Sequence, residues 1–344
     1  MTPAEIFRLT RELIDVDSVT GNERRVGELL ERCLRDLAGR GGGTVERMPV
    51  AAGRCNLFAA WGEPEVVLST HMDTVPPFIP SSEDADHIHG RGACDAKGAI
   101  AAMLAAAARL LDSGVRGFGV LLVVGEETDS AGAEAANREP RGARFLIAGE
   151  PTENHLALGS KGALYLAIEA SGQAAHSAYP ELGDSAIDRL LAALARLRQV
   201  PLPTSPELGE TTINVGTLAG GRAANVVADQ ARAEVMVRTV GDTARLRRDL
   251  AAALHPVRVT ELREVPAVLL RALPGFATTV VKYTTDIPRL GAWGEPLLLG
   301  PGSIHVAHTP GERVAKSQLA AAADLYVELV RRLKAEAAAA GDGM

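Results

Sequence analysis

The sequence predicts an α/β fold interrupted by a second, smaller domain. Short apolar runs at Val66–Leu68, Val120–Val124 and Phe145–Ala148 read as buried strands, and helical stripes separate them. Between residues 161 and 264 the order becomes β-α-β-β-α-β, the ferredoxin-like arrangement, before the first pattern resumes. The expected domains are a discontinuous α/β body, residues 1–160 and 265–344, and an inserted domain, residues 161–264.

Thr2-Pro3-Ala4-Glu5 reads as a helix start. Thr2 can cap, Pro3 suits the first helical position and Glu5 completes a capping box. Ile6, Leu9 and Leu13 mark the apolar stripe. Asn22 is placed to cap a second helix whose apolar set is Val26, Leu29, Leu30, Cys33, Leu34 and Leu37, ended by Gly41-Gly42-Gly43. Strands are expected at Val45–Val50, Asn56–Trp61 and Glu65–Thr70. The stretch Lys97–Asp112 is helical and apolar nearly all round, so it is expected to be buried, with Gly114 closing it. A helix at about Ala131–Asn137 precedes the run that leads to Glu150.

In the insert, Gly162–Gly172, Thr211–Val215, Ala231–Val240 and Pro256–Leu262 read as strands, and Asp184–Gln199 and Asp242–Leu254 as helices. The body then resumes with strands at Thr279–Tyr283 and Pro296–Leu299 and a long helix at Lys316–Leu333. The alanine-rich tail from Ala335 is expected to fray.

A chain of 344 residues suffices for two domains with a sizeable core, and 47% hydrophobic with 23% charged residues is a globular composition. The net charge of −7 argues against a general nucleic-acid binder. No apolar run reaches membrane-spanning length, and Met1-Thr2-Pro3-Ala4-Glu5 lacks signal-peptide features, so the cytoplasm is the expected location. Cys33, Cys55 and Cys94 form no pairing pattern.

The chemistry-bearing residues cluster where the apolar runs end. Val66-Val67-Leu68 leads into Ser69-Thr70-His71-Met72-Asp73-Thr74-Val75-Pro76. His71 and Asp73 point to the same side of an extended chain, which suits a metal-bound imidazole with a carboxylate on its other ring nitrogen. Asp95 sits in the glycine-rich turn Gly90–Gly98 that opens a helix. The next two runs end in Gly125-Glu126-Glu127 and Gly149-Glu150-Pro151-Thr152. Ligands of open α/β sheets bind beyond the carboxyl ends of the strands, so these side chains aim at one crevice. The segment 300–312 adds His305 and His308, either of which can supply a last ligand.

His71, Asp95, Glu127, Glu150 and one late histidine are nitrogen and oxygen donors without thiolate, a set that suits zinc, with cobalt or manganese as alternatives. Five ligands exceed one catalytic zinc and suit two ions sharing a bridging carboxylate. Glu126 is left over as the natural general base. Cys94 has no spacing that makes it a ligand or nucleophile, and His87, His89, His155 and His255 read as surface residues.

Over nearly its whole length the chain resembles the M20 family of co-catalytic zinc amidohydrolases. The family includes acetylornithine deacetylase, succinyl-diaminopimelate desuccinylase, carboxypeptidase G2 and the hydrolase that frees lysine from its amino-carrier protein. The motifs carrying the resemblance are His71-x-Asp73-Thr74-Val75-Pro76, Gly90-Arg91-Gly92 with Asp95-x-Lys97-Gly98, Glu126-Glu127, Gly149-Glu150-Pro151-Thr152 and Ala307-His308-x-Pro310-x-Glu312. The resemblance implies a phosphorylase/hydrolase-like zinc-peptidase domain with an inserted lid and dimerisation domain. It implies two zinc ions per subunit, one on His71 and Glu150, the other on Glu127 and His308, with Asp95 bridging, Asp73 orienting His71 and Glu126 as base. His305 becomes a neighbour. It further implies that His176, in Gly172-x-x-Ala175-His176-Ser177, reaches the partner's site in a homodimer to stabilise an oxyanion. Asn225 and Arg238 become substrate contacts, Arg238 for an α-carboxylate.

Lys282-Tyr283-Thr284-Thr285-Asp286 is similar to a segment of the carrier-protein hydrolases and adds Lys282 and Thr285 as substrate contacts. With the short chain, this points to release of lysine or ornithine from an acidic carrier protein, or deacylation of another N-acyl amino acid, in lysine or arginine biosynthesis. The alternatives are a desuccinylase and an M20 dipeptidase, aminoacylase or carboxypeptidase, which share these ligands. A non-catalytic binding protein on the same fold is disfavoured because the base and every ligand are present. A nucleotide-binding protein is disfavoured because neither GxGxxG nor GxxxxGK[ST] occurs.

Overall fold

The computed structural model describes residues 1–341 and forms two compact units. The first comprises Met1–Ala157, Leu270–Thr279 and the chain from Thr285 onward; the second comprises Leu158–Leu269 and Val280–Thr284.

The first unit is built on a six-stranded sheet. Its strands are β1 (Thr44–Ala51), β2 (Arg54–Trp61), β3 (Val66–His71), β4 (Phe118–Val123), β5 (Phe145–Ala148) and, from the end of the chain, β10 (Glu295–Leu298), in the order β1-β2-β4-β3-β5-β10. β4, β3, β5 and β10 run parallel, while β1 and β2 form an antiparallel hairpin at one edge. Successive side chains of a strand face opposite sides. Leu57, Leu68, Val120, Leu122 and Ile147 accordingly enter one core, and Phe58, Val67, Leu121 and Leu146 enter another.

The larger core holds helix α1 (Pro3–Ile14), α2 (Arg24–Gly41), α3 (Lys97–Asp112) and α7 (Lys316–Gly341). The smaller lies under α4 (Ala131–Asn137) and Trp293. α3 is buried almost throughout, as its all-round apolar sequence requires. Thr2 and Glu5 form the expected capping box on α1. Asn22 does not cap α2: the helix starts after Glu23 with no side-chain cap, and the Asn22 amide donates to Asp17 instead. α7 continues past Ala335 to Gly341 rather than fraying there, since Ala337 is buried in the core. The last residues of that tail lie outside the described residues.

The second unit has the chain order β6 (Gly162–Ser171), α5 (Ala186–Leu197), β7 (Thr212–Gly220), β8 (Gln230–Thr239), α6 (Ala244–Leu254), β9 (Arg258–Val265). The sheet order β7-β8-β6-β9, antiparallel throughout, is the ferredoxin-like topology. One face carries α5 and α6 over a core of Leu164, Leu190, Val235, Leu246 and their neighbours. β7 runs five residues beyond the expected end, because its far half is exposed and has no apolar pattern to read. Val280–Thr284 belongs to this unit because Lys161 N–H donates to the Val281 carbonyl at 3.2 Å and Ser160 Oγ to that of Tyr283 at 2.7 Å. Among the described residues no helix is long and apolar enough to cross a membrane.

Candidate metal centre

Four parallel strand ends and one turn of the first unit supply the centre. β3 ends on His71, and β4 runs on through Val124 and Gly125 to Glu126 and Glu127. β5 is followed by Gly149 and Glu150, β10 by the loop that carries His308, and Asp95 lies in the turn that opens α3. Two glycines let the His308 loop close on its neighbours. A Cβ on Gly300 would lie 2.5 Å from the Glu150 carbonyl oxygen, and one on Gly302 would lie 2.3 Å from Cys94 Cβ. Gly302 also has φ 90°, a left-handed backbone that favours glycine. The Asp95–Ala96 peptide is cis.

Asp95 stands between the two histidines. Its Oδ1 is 3.0 Å from His71 Nε2 and its Oδ2 is 3.2 Å from His308 Nε2. Glu150 Oε2 is 3.9 Å from His71 Nε2, and Glu127 Oε2 is 3.0 Å from His308 Nε2. The structure therefore brings together His71 with Glu150, His308 with Glu127, and Asp95 with both. His308 holds a left-handed backbone, φ 62°, which costs a non-glycine residue roughly 1–2 kcal/mol. His305 is exposed.

Asp73 does more than the sequence suggests. The imidazole Nδ1 of His71 lies 3.0 Å from the Asp73 carbonyl oxygen and 3.6 Å from its carboxylate. The carboxylate itself is fully buried and grips the loop after β4: Oδ1 accepts the N–H groups of Gly125 and Glu126 at 2.9 and 3.1 Å, and Oδ2 that of Glu127 at 3.2 Å. Thr20 Oγ1 donates to Oδ2 at 2.8 Å.

The electrostatics ask for cations. Burial holds Glu126 and Glu150 well above the usual carboxylate range, and neighbouring carboxylates, Asp286 among them, raise both further. Burial works against a charged His71, but Asp73 and Asp95 outweigh it and raise the imidazole well above its ordinary value. Asp95 and Glu127 raise His308 to about 10. Both shifts have one cause, a cluster of carboxylates that favours positive charge in its midst. A divalent cation meets the same demand without protons. The donor atoms also fit: one ligand atom each from His71, Asp95 and Glu127 lie within 4.8 Å of one another. Nitrogen and oxygen donors with no thiolate suit zinc, cobalt or manganese.

The remaining expected site residues are distributed as follows. Thr285 is buried in the first unit, its Oγ1 accepting the Ile287 N–H. His176, Asn225, Arg238 and Lys282 belong to the second unit. His176 is exposed, its Nδ1 accepting the Ala178 N–H at 3.1 Å; Asn225 and Lys282 are exposed as well. Arg238 is half-buried on β8, with Nη1 buried and lacking a hydrogen-bond partner among the described residues. Cys94 is buried, and burial raises its thiol well above the ordinary value, which disfavours the nucleophilic thiolate. Sequence reasoning missed the roles of Asp286 and Thr20, because neither stands in a spacing that marks a ligand.

Peptidase family M20/M25/M40 matches residues 67–332, and the chain belongs to this family. A peptidase M20 domain-containing protein of Schizosaccharomyces pombe is 39% identical over 340 residues, covering 94% of this chain and 84% of its own. A protein of Aspergillus terreus named "Probable carboxypeptidase" is 38% identical over 370 residues, covering 93% and 84%. Among solved structures, a tripeptidase of Staphylococcus aureus superposes with a TM-score of 0.83 at 24% identity, covering 97% of this chain and 99% of its own. The protein is a hydrolase acting on amide bonds.

Proposed function

We propose that this protein is a metal-dependent exopeptidase of the carboxypeptidase or dipeptidase type, which cleaves an amide bond next to a free α-carboxylate. The observation that carries the substrate class is Arg238, a guanidinium whose buried Nη1 has no hydrogen-bond partner among the described residues. A forked cation in that condition suits a carboxylate ligand. The names of the fungal relatives favour the same class. Lys282 and Asn225 are exposed polar groups available to the substrate, and Thr285 is assigned a supporting contact.

His71 and Glu150 would hold one ion and Glu127 and His308 the other, with the Asp95 carboxylate available to both. Bound divalent ions supply Lewis acidity toward a water and the acyl carbonyl. Glu126 takes the proton of the attacking water on its carboxylate and returns it to the leaving nitrogen. Burial, with neighbouring carboxylates, raises its proton affinity above that of an ordinary carboxylate. Asp73 fixes where Glu126 stands through the backbone bonds described above. The second unit serves as lid and dimerisation domain of a cytoplasmic homodimer, and His176 works across that dimer on the developing oxyanion.

The same chemistry serves an N-acyl amino acid, including a γ-glutamyl-lysine terminus of an acidic carrier protein. The Lys282–Asp286 segment favours this as a second reading. One panel decides: an N-blocked dipeptide, its C-terminal amide, a free dipeptide, N-acetylornithine and γ-glutamyl-lysine, each with zinc, with cobalt and after chelation. A peptide with a free carboxylate is expected to lead by tenfold or more, about 1.4 kcal/mol of discrimination. Chelation is expected to abolish turnover and zinc or cobalt to restore it. Arg238→Met is expected to raise KM for the acid and leave the amide unaffected. A lead for γ-glutamyl-lysine transfers the assignment to the second reading, and full turnover without metal refutes both.

A further inference from the structure

Glu312 follows His308 by four residues, and its carboxylate is buried. Oε1 accepts the backbone N–H of Gly92 at 2.9 Å and those of Cys94 and Asp95 at 3.4 Å each. Oε2 accepts Arg91 Nη1 at 2.5 Å. Arg91, equally buried, also donates from Nη1 to the Thr309 carbonyl at 3.4 Å and from Nε to that of Pro77 at 3.3 Å. The Gly90 N–H donates to the Glu312 carbonyl at 3.1 Å. One buried ion pair thus joins the loop after His71, the turn that carries Asp95 and the loop that carries His308.

The attraction between the two charges does not by itself account for this arrangement. Two buried charges cost desolvation that their attraction only about repays, and apolar residues of similar volume often serve as well. Three amides of one turn aimed at a single oxygen do something an apolar pair cannot: they fix the backbone of Asp95, the residue whose two oxygens face both histidines. The other end of the tie fixes the loop of the residue that faces Asp95 Oδ2.

We propose that Glu312 is a positioning residue: through its buried charge it sets Asp95 against His308, so that the centre takes up two ions as one unit. This rests on the metal-dependent reading above. Partners that orient metal ligands typically contribute 10–100-fold in affinity.

The test is calorimetric titration of zinc into the full-length, chelator-stripped protein, with release timed against a chromogenic chelator. Wild type is compared with Glu312→Gln, Arg91→Lys and the apolar pair Arg91→Met/Glu312→Leu. Glu312→Gln is expected to lose 10–100-fold in affinity for at least one of two ions and to release it faster. The apolar pair strands the Gly92, Cys94 and Asp95 amides and is expected to melt below the metal-free wild type. Glu312→Gln keeps an oxygen acceptor for those amides, and its loss of zinc affinity with a metal-free melting temperature little changed is what a merely structural role would not produce. If Glu312→Gln does not fold, Arg91→Lys carries the test, because lysine cannot reach Pro77, Thr309 and Glu312 together. Wild-type affinity and release in the folded variants overturn the proposal and leave the metal reading standing. A wild type that takes up no zinc removes both.

Discussion

Asp73 Oδ1 accepts the backbone N–H of Glu126 at 3.1 Å, so a residue at the end of β3 fixes the assigned base at the end of β4. Asp73→Asn keeps one oxygen acceptor and presents an amide donor where Glu127 N–H and Thr20 Oγ1 now donate. The expected result is a 10–100-fold fall in kcat with zinc still bound, the size seen when a ligand's supporting partner is lost. Steady-state kinetics with metal analysis on the same sample checks it, and unchanged kcat sinks the clamp.

Glu126→Gln removes proton transfer and keeps the shape of the side chain. Turnover is expected to fall by about 10²–10⁴-fold with KM and metal content little changed. Wild-type turnover in this variant would take Glu126 out of the mechanism.

Glu31 on α2 accepts Arg47 and Arg35. The Arg47 bonds, aided by Arg35 and opposed by burial, lower its carboxyl to about 2 from an ordinary 4.5. A depressed acid stabilises the fold above its unfolded value and loses that contribution as pH falls toward its folded one. Glu31→Gln is therefore expected to be less stable at pH 7 by about 1–3 kcal/mol, with the gap closing between pH 4.5 and about 2. Thermal melts across that range decide it, and a gap independent of pH contradicts the linkage.

His176→Ala and Glu126→Gln subunits are each expected to be inactive alone. Mixed under exchange conditions, they are expected to regain part of the activity, because a hybrid dimer unites an intact base with an intact histidine. Verified hybrids without recovery, or an active monomer by sedimentation, would count against action in trans.

The chain order of strands and helices was legible because period-two and period-3.6 apolar patterns survive wherever one face is buried, as in β8 and α1. It failed where burial gives no pattern. The exposed half of β7 looked like loop, and residues 280–284 looked like body, although hydrogen bonds to residues 160 and 161 place them in the second unit. Asn22 had the right chemistry for a cap, but the helix began two residues later.

Residue identity and spacing by themselves determined which side chains bear chemistry: a histidine and carboxylates at the ends of apolar runs, whose polar ends a parallel sheet must gather on one edge. Between His305 and His308 the residue types alone left the choice open, and the resemblance chose His308 through Ala307-His308-x-Pro310-x-Glu312. How that loop turns His308 back to Glu127 and Asp95 is visible only in the tertiary structure. Only it showed that the Asp73 carboxylate grips the loop of Glu126, and that Glu312 grips the turn of Asp95. Those contacts join residues 53 and 217 positions apart. Backbone amides are their donors, and a backbone amide is present at every residue but proline, so no letter of the sequence marks where one will be needed.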